Sequence, residues 1–201
     1  MLILASQSPR RRALLAQMGL AFEVRVSEAD ETPPENASPE DAAVAIALRK
    51  AEAVEKAPGD TVIGADTTVL TPEGEVFGKP HSREEARRML ESLSGRTHTV
   101  VTGVAVLNGT RRLTRAVETR VRFRTLSDGE IEAYIDTGEP FDKAGAYGIQ
   151  GRAAWLVDAL EGDYFNVVGL PLAPLGEMLR EAGFDVWQNG GRSCADSGDP
   201  D

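Results

Sequence analysis

Cysteine is almost absent from this 201-residue chain: Cys194, in a polar C-terminal stretch, is the only one. That excludes an intrachain disulfide and leaves an incidental thiol. Histidine is as sparse. His81 and His98 lie far apart without metal-ligand spacing, and neither is given a role. Long apolar runs are missing too; none approaches the roughly 20 residues of a membrane span. Residues 2–5 are too short a run for a signal peptide, so the expectation is a cytoplasmic protein without a membrane partner. Basic charge is in deficit. A net charge of -10 argues against broad nucleic-acid binding. It leaves room for a small anionic ligand if the few cations gather in one place. The scarcest cation is lysine: of 22 basic residues only Lys50, Lys56, Lys79 and Lys143 are lysine. Arginine is the default surface cation here, so each remaining lysine invites an explanation.

Hydrophobic content of 41% and charged content of 27% suit a folded domain with a real core. One domain is expected over residues 1–187, followed by a small, polar, disordered tail over 188–201. Ser8-Pro9 and Ser38-Pro39 announce helices. The first places Leu14, Leu15 and Met18 on one face; the second places Val44, Ala47, Leu48, Ala51 and Val54 on a buried stripe. Ser82 with Glu85, and Ser127 with Glu130, read as capping boxes, and a last helix spans 172–182. Strands are expected at 2–5, 22–26, 61–70, 99–107 and 116–125. The last alternates Val117, Thr119, Val121 and Phe123 with Glu118, Arg120, Arg122 and Arg124. Its arginines are expected on a solvated face rather than on a phosphate surface. Without strict βαβ alternation, the expected class is α/β around a mixed sheet.

Several segments carry chemistry. The strand LILA runs through SQSPRRR into a helix whose first-turn N–H groups are unsatisfied and lie at the positive end of the dipole. Ser6, Ser8, Arg10 and Arg11 add donors suited to phosphate oxygens, although no G-x-x-x-x-G-K-[ST] loop is present. In TVIGADTTVL, Asp66 interrupts an apolar strand, where a carboxylate must be paired, metal-bound or at the sheet's open end. The acidic turn Asp30-Glu31 leaves an earlier strand. Carboxylates converging from the two places would suit a divalent ion bound together with a triphosphate. Lys79 sits in a Gly-Lys-Pro turn, Lys50 on the second helix and Lys143 in a loop, DKAGAYGIQG, where Gln150 could meet a base edge. GDYFNVVGLP reads as a strand entering the last helix.

In order, LASQSPRRRALL, SEADET, LRKAEAV, IGADTTV, GKP, LSGRTHTVVTGVAV, GEPFDKAGAYGIQG and GDYFNVVGLP resemble the Maf family of nucleoside triphosphate pyrophosphatases over residues 1–183. The resemblance implies an inosine-triphosphatase-like fold, a mixed twisted sheet in two lobes with a central cleft. It implies cleavage of the α–β phosphoanhydride with a divalent metal, Mg or Mn, and an association with arrest of septum formation and exclusion of modified nucleotides. Position by position, Asp66 matches the catalytic proton acceptor. Ser6, Arg11, Lys50 and Lys79 match phosphate-site positions, and Asp30 or Glu31 the acidic position near the metal with Asp66. Arg10, Thr67 and Gln150 match the branch acting on dTTP and UTP. The alternatives are the same chemistry on 7-methyl-GTP or other modified nucleotides, and a nucleotide-sensing septation regulator without useful catalysis. The oligomeric state is left open, a homodimer included.

Overall fold

A computed structural model describes residues 1–188. The tail expected over 188–201, with Cys194, therefore lies outside the described residues except for Gln188. The chain runs β1 (Leu2–Leu4), α1 (Pro9–Gln17), β2 (Glu23–Val24), α2 (Pro39–Ala53), β3 (Thr61–Leu70), β4 (Val76–Phe77), α3 (Arg83–Leu93), β5 (Thr97–Asn108), β6 (Arg111–Phe123) and α4 (Asp128–Asp136). Three short 3₁₀ turns follow at Glu139–Asp142, Ala144–Ala146 and Gly151–Leu156, then β7 (Val157–Glu161), α5 (Tyr164–Val168) and α6 (Leu172–Glu181).

Among the described residues the strands form one seven-stranded mixed sheet, ordered β2-β1-β3-β5-β6-β7, with β4 attached to β3. β1 is parallel to β2 and β3, and the remaining pairs are antiparallel. Side chains alternate across a strand, so the sheet buries two faces. Leu2, Leu4, Ile63, Ala65 and Val69 join the larger core with residues of α1, α3, α4 and α6. Ile3, Ala5 and Val62 face Ala47 and Ala51 of α2 in a smaller one. On β6 the expected alternation holds: Thr119, Val121 and Phe123 are buried while Glu118, Arg120 and Arg122 are exposed. Arg120 pairs with Glu161 and Arg122 with Asp158, both on β7, so these arginines belong to a solvated, ion-paired face.

Strand bounds shift, the strand expected at 116–125 beginning five residues earlier as β6, and four further details differ from the sequence expectations. The buried stripe of α2 is Ala43, Ile46, Ala47, Lys50 and Ala51, with Val44 and Leu48 only partly covered. The face turns toward its smallest residues because the sheet beneath carries glycines. A Cβ on Gly64 would stand 2.1 Å from the Ala47 carbonyl oxygen, and one on Gly103 would stand 2.2 Å from the Ala43 carbonyl carbon. Of the two capping boxes, only Ser127–Glu130 closes. Ser82 caps α3, but the Glu85 carboxylate accepts the His81 N–H instead. Residues 164–168 form α5 rather than a strand, because Asp163 accepts the N–H groups of Phe165 and Asn166. Finally, β4 and β7 carry too short an apolar pattern to be expected.

The strand that positions the site is β3. One of its edges pairs with β1 over Thr61, Val62 and Ile63, and with β4 over Val69 and Leu70. Between them, around Asp66 and Thr67, neither strand covers that edge. β1 and its helices lie on one side of this gap; β4, α3, α4 and the 3₁₀ turns lie on the other.

Candidate active site

Asp66 and Thr67 stand back to back at the gap. Asp66 shares the parity of Val62 and faces α2. Thr67 shares that of Ile63 and faces the larger core. Gly103 is the cross-strand partner of Asp66, so no side chain separates the carboxylate's surroundings from α2. The close approach that Gly64 and Gly103 permit brings Lys50, near the end of α2, to the carboxylate. Lys50 Nζ donates to Asp66 Oδ1 at 2.8 Å and lies 3.0 Å from Glu31 Oε1. The Lys50 and Asp66 side chains are only 11% and 18% exposed, well shielded from water. Such a pair resists loss of either member, because the survivor would be a partly buried, uncompensated charge.

Asp30 does not join them. Its Oδ1 accepts the N–H of Thr32 at 2.9 Å and its Oδ2 lies 3.6 Å from Arg49. That bond to Thr32, with Arg49 nearby, holds its carboxyl below the usual range. Of the two acidic neighbours left open by the sequence, Glu31 rather than Asp30 shares Lys50 with Asp66. Among the described residues no group of three or more His, Cys, Asp or Glu side chains is placed so that it could hold a metal ion by itself. Two carboxylates, Glu31 and Asp66, meet at one cationic point. That donor set fits Mg²⁺ or Mn²⁺, which take one or two carboxylates together with substrate phosphates and water.

On the other face, the segment after β1 turns into α1. Ser8 caps the helix by accepting Arg11 N–H, and Pro9 occupies its first turn. Arg11 is thereby aimed along the gap. Its Nε donates to Gly169 O at 2.8 Å, Nη1 to Ser6 Oγ at 3.3 Å and Nη2 to Thr67 Oγ1 at 3.0 Å. Burial lowers its pKa, opposed by Asp66 and Glu31, yet a guanidinium stays charged. Among the described residues three of its five N–H groups are used, leaving two for a ligand. Ser6 accepts from Ser8 N–H and from Arg11, and among the described residues its own proton has no acceptor. It is a ready donor to an anion.

Arg10 takes a different direction. It crosses the gap to Asp142, with Nη1 2.9 Å from Oδ2, and Asp142 is also held by Lys143. Lys79 follows β4 by two residues and is exposed at the far rim. Its turn is tied to the glycine-rich loop by Gly145 N–H donating to Gly78 O. Gln150, also exposed, precedes the last 3₁₀ turn. No bond among the described residues engages the side chain of Lys79 or Gln150. The loop between them is anchored from below: Tyr147 OH lies 2.7 Å from His98 Nε2, and Gly145 packs on Val69 at φ +69°.

The structure thus brings together Glu31, Lys50 and Asp66 in one contact cluster and Ser6, Arg11 and Thr67 in another, joined where Asp66 and Thr67 are chain neighbours. Arg10 goes to Asp142, and among the described residues Lys79 and Gln150 are exposed without a direct contact to either cluster. Sequence reasoning missed Thr102, Asp142, Asn166 and Gly169, which hold these residues in place. Thr102 and Asn166 both fell in segments read as strands, with little in either segment to single them out. Only a polar residue on a strand's apolar face hinted at Thr102.

The Maf-like protein family model matches residues 1–182. The chain is 53% identical to a dTTP/UTP pyrophosphatase of Symbiobacterium thermophilum, covering 94% of this chain and 97% of that one. It is 55% identical to a dTTP/UTP pyrophosphatase of Moorella thermoacetica, covering 92% and 97%. Its fold resembles that of the Staphylococcus aureus Ham1 protein, with a TM-score of 0.50 at 17% identity, over 90% of this chain and 98% of the other.

Proposed function

The chain belongs to the Maf-like family, and from that premise we propose that it hydrolyses dTTP and UTP to the nucleoside monophosphate and pyrophosphate. The observation that carries this reading is the contact of Lys50 with both Asp66 and Glu31 at an open strand edge, beside an arginine-lined helix N-terminus. Relatives of about half-identical sequence bear that activity in their names.

In the proposed reaction a water oxygen attacks the α-phosphorus as the Pα–O bond to the β-phosphate breaks. Asp66 accepts the water's proton, and the departing pyrophosphate carries away the bond electrons. Ser6, Arg11 and the first turn of α1 donate to phosphate oxygens, and Lys79 meets them from the opposite rim. Lys50 holds Asp66 and Glu31 in mutual register. Glu31 and Asp66 would hold a divalent ion, whose chemistry is to neutralise triphosphate charge. Arg10, Thr67 and Gln150 are assigned to the recognition of the nucleoside. One domain over 1–187 accounts for all of these residues. Among the described residues no helix is long and apolar enough to cross a membrane.

Asp66→Asn removes the proton acceptor while keeping a partner for Lys50. General-base help is worth about 10²–10⁴-fold, so turnover should fall by that range with the melting temperature little changed. Near-normal turnover would remove Asp66 from the mechanism. Chelation should stop pyrophosphate release, and added Mg²⁺ or Mn²⁺ should restore it.

A further inference from the structure

We propose that Thr102, buried on β5, is a positioning residue that commits the Thr67 hydroxyl proton to the protein interior. Thr67 is then left facing the gap as a hydrogen-bond acceptor for the N3–H of a thymine or uracil ring. The proposal rests on the pyrimidine triphosphate reading above and adds the means by which that site tells one pyrimidine from another.

The argument is a count of protons. Thr67 and Thr102 are direct cross-strand partners, and their hydroxyl oxygens lie 2.9 Å apart. Thr102 is fully buried, and its oxygen also lies 3.0 Å from the carbonyl oxygen of Asn166, which has no hydrogen to give. A hydroxyl owns one proton. If Thr102 gave it to Thr67, two lone pairs would be pressed together at Asn166. Thr102 therefore donates to Asn166, and the bond between the threonines uses the proton of Thr67. Arg11 Nη2, a donor only, takes one lone pair of Thr67 at 3.0 Å. What Thr67 retains toward the gap is one lone pair and no proton.

The anchor at the end of this chain is fixed. The Asn166 side-chain amide donates to Val100 O at 3.1 Å and to Thr119 Oγ1 at 3.0 Å, and the main-chain carbonyl of Asn166 also accepts Gly169 N–H at 3.0 Å. Ser6 offers the contrast: it accepts two bonds and keeps a proton, which suits a phosphate oxygen. Thr67 would meet a phosphate lone pair against lone pair, which assigns it to a donor on the nucleoside. Among the pyrimidines, thymine and uracil carry a proton at N3, whereas cytosine presents an acceptor there.

The test compares wild type, Thr102→Val and Thr102→Ser on dTTP, UTP, dCTP and CTP, measured as kcat/KM for pyrophosphate release. Valine gives the Thr67 proton no inner acceptor, so the hydroxyl can turn and donate to cytosine N3. The dCTP to dTTP ratio should rise about tenfold, the worth of one hydrogen bond of about 1.4 kcal/mol. Serine should return the ratio to the wild-type value. An equal loss on all four nucleotides would reduce Thr102 to a packing residue and overturn the proposal. Should the valine variant not fold, wild type with N3-methyl-dTTP decides. A loss of at least about tenfold against dTTP supports the acceptor assignment, and equal turnover overturns it. Wild type that cleaves neither dTTP nor UTP overturns the function reading itself, a result seen before any variant is made.

Discussion

Arg11 does at one position what two or three residues would otherwise share. Its planar fork reaches a carbonyl and two hydroxyls while keeping two N–H groups without a partner among the described residues. Lysine offers a point charge with no fork. Arg11→Lys should therefore lower kcat/KM for dTTP by about 10–100-fold, mostly through KM, since one or two charged hydrogen bonds are lost. Titration with dTTP would show it. His98 supplies a second residue-scale consequence. It is buried between Phe123 and Tyr147, and burial lowers its pKa from 6.5 to about 4. The unfolded chain thus binds this proton near pH 6.5 and the folded chain only near pH 4. Stability from neutral His98 is complete above pH 6.5 and is lost as pH falls toward 4, on the order of 3 kcal/mol in all. Urea midpoints measured across that window should fall less steeply for His98→Leu than for wild type.

At the scale of elements, the site depends on how closely α2 lies on β3 and β5. Gly64 and Gly103 set that distance, since a Cβ at either would press into the backbone of the helix. Gly64→Ala should cost about 1–3 kcal/mol, the usual penalty of overpacking. Because the displaced helix carries Lys50 away from Asp66, activity should fall further than the lost folded fraction explains. Thermal melts beside turnover at a temperature where the variant is folded would separate the two effects. This contact also marks where sequence legibility ended. The bounds of β3, the serine caps and the alternation on β6 were readable, because each depends on neighbours in the chain. The turn of the α2 stripe toward Ala43, Ala47 and Ala51 was not, since it depends on glycines beneath the helix. Asp66 was legible as a misplaced carboxylate, but its pairing with Lys50 was not. Asp30 and Glu31 look equivalent in sequence. The Thr32 N–H and, at longer range, Arg49 draw the first aside, while Lys50 holds the second at the site. Asp163 likewise lay in a segment expected as a strand, where its carboxylate instead caps α5.

Over the whole molecule, the gap at the β3 edge separates two groups of elements joined by the long strands. Arg10 bridges them through Asp142, and the Gly78–Gly145 bond ties the Lys79 turn to the Gln150 loop. The residues proposed to read the nucleoside thus come from both sides, while the proposed chemistry sits on the strand between. The measurement that bears most directly on this arrangement is product analysis on a panel of nucleoside triphosphates with Mg²⁺, for wild type beside Asp66→Asn. Wild type should release pyrophosphate and the monophosphate in equal amounts, fastest from dTTP and UTP, and the variant should release almost none. Orthophosphate as the product, or an Asp66→Asn protein that turns over like wild type, would contradict the account.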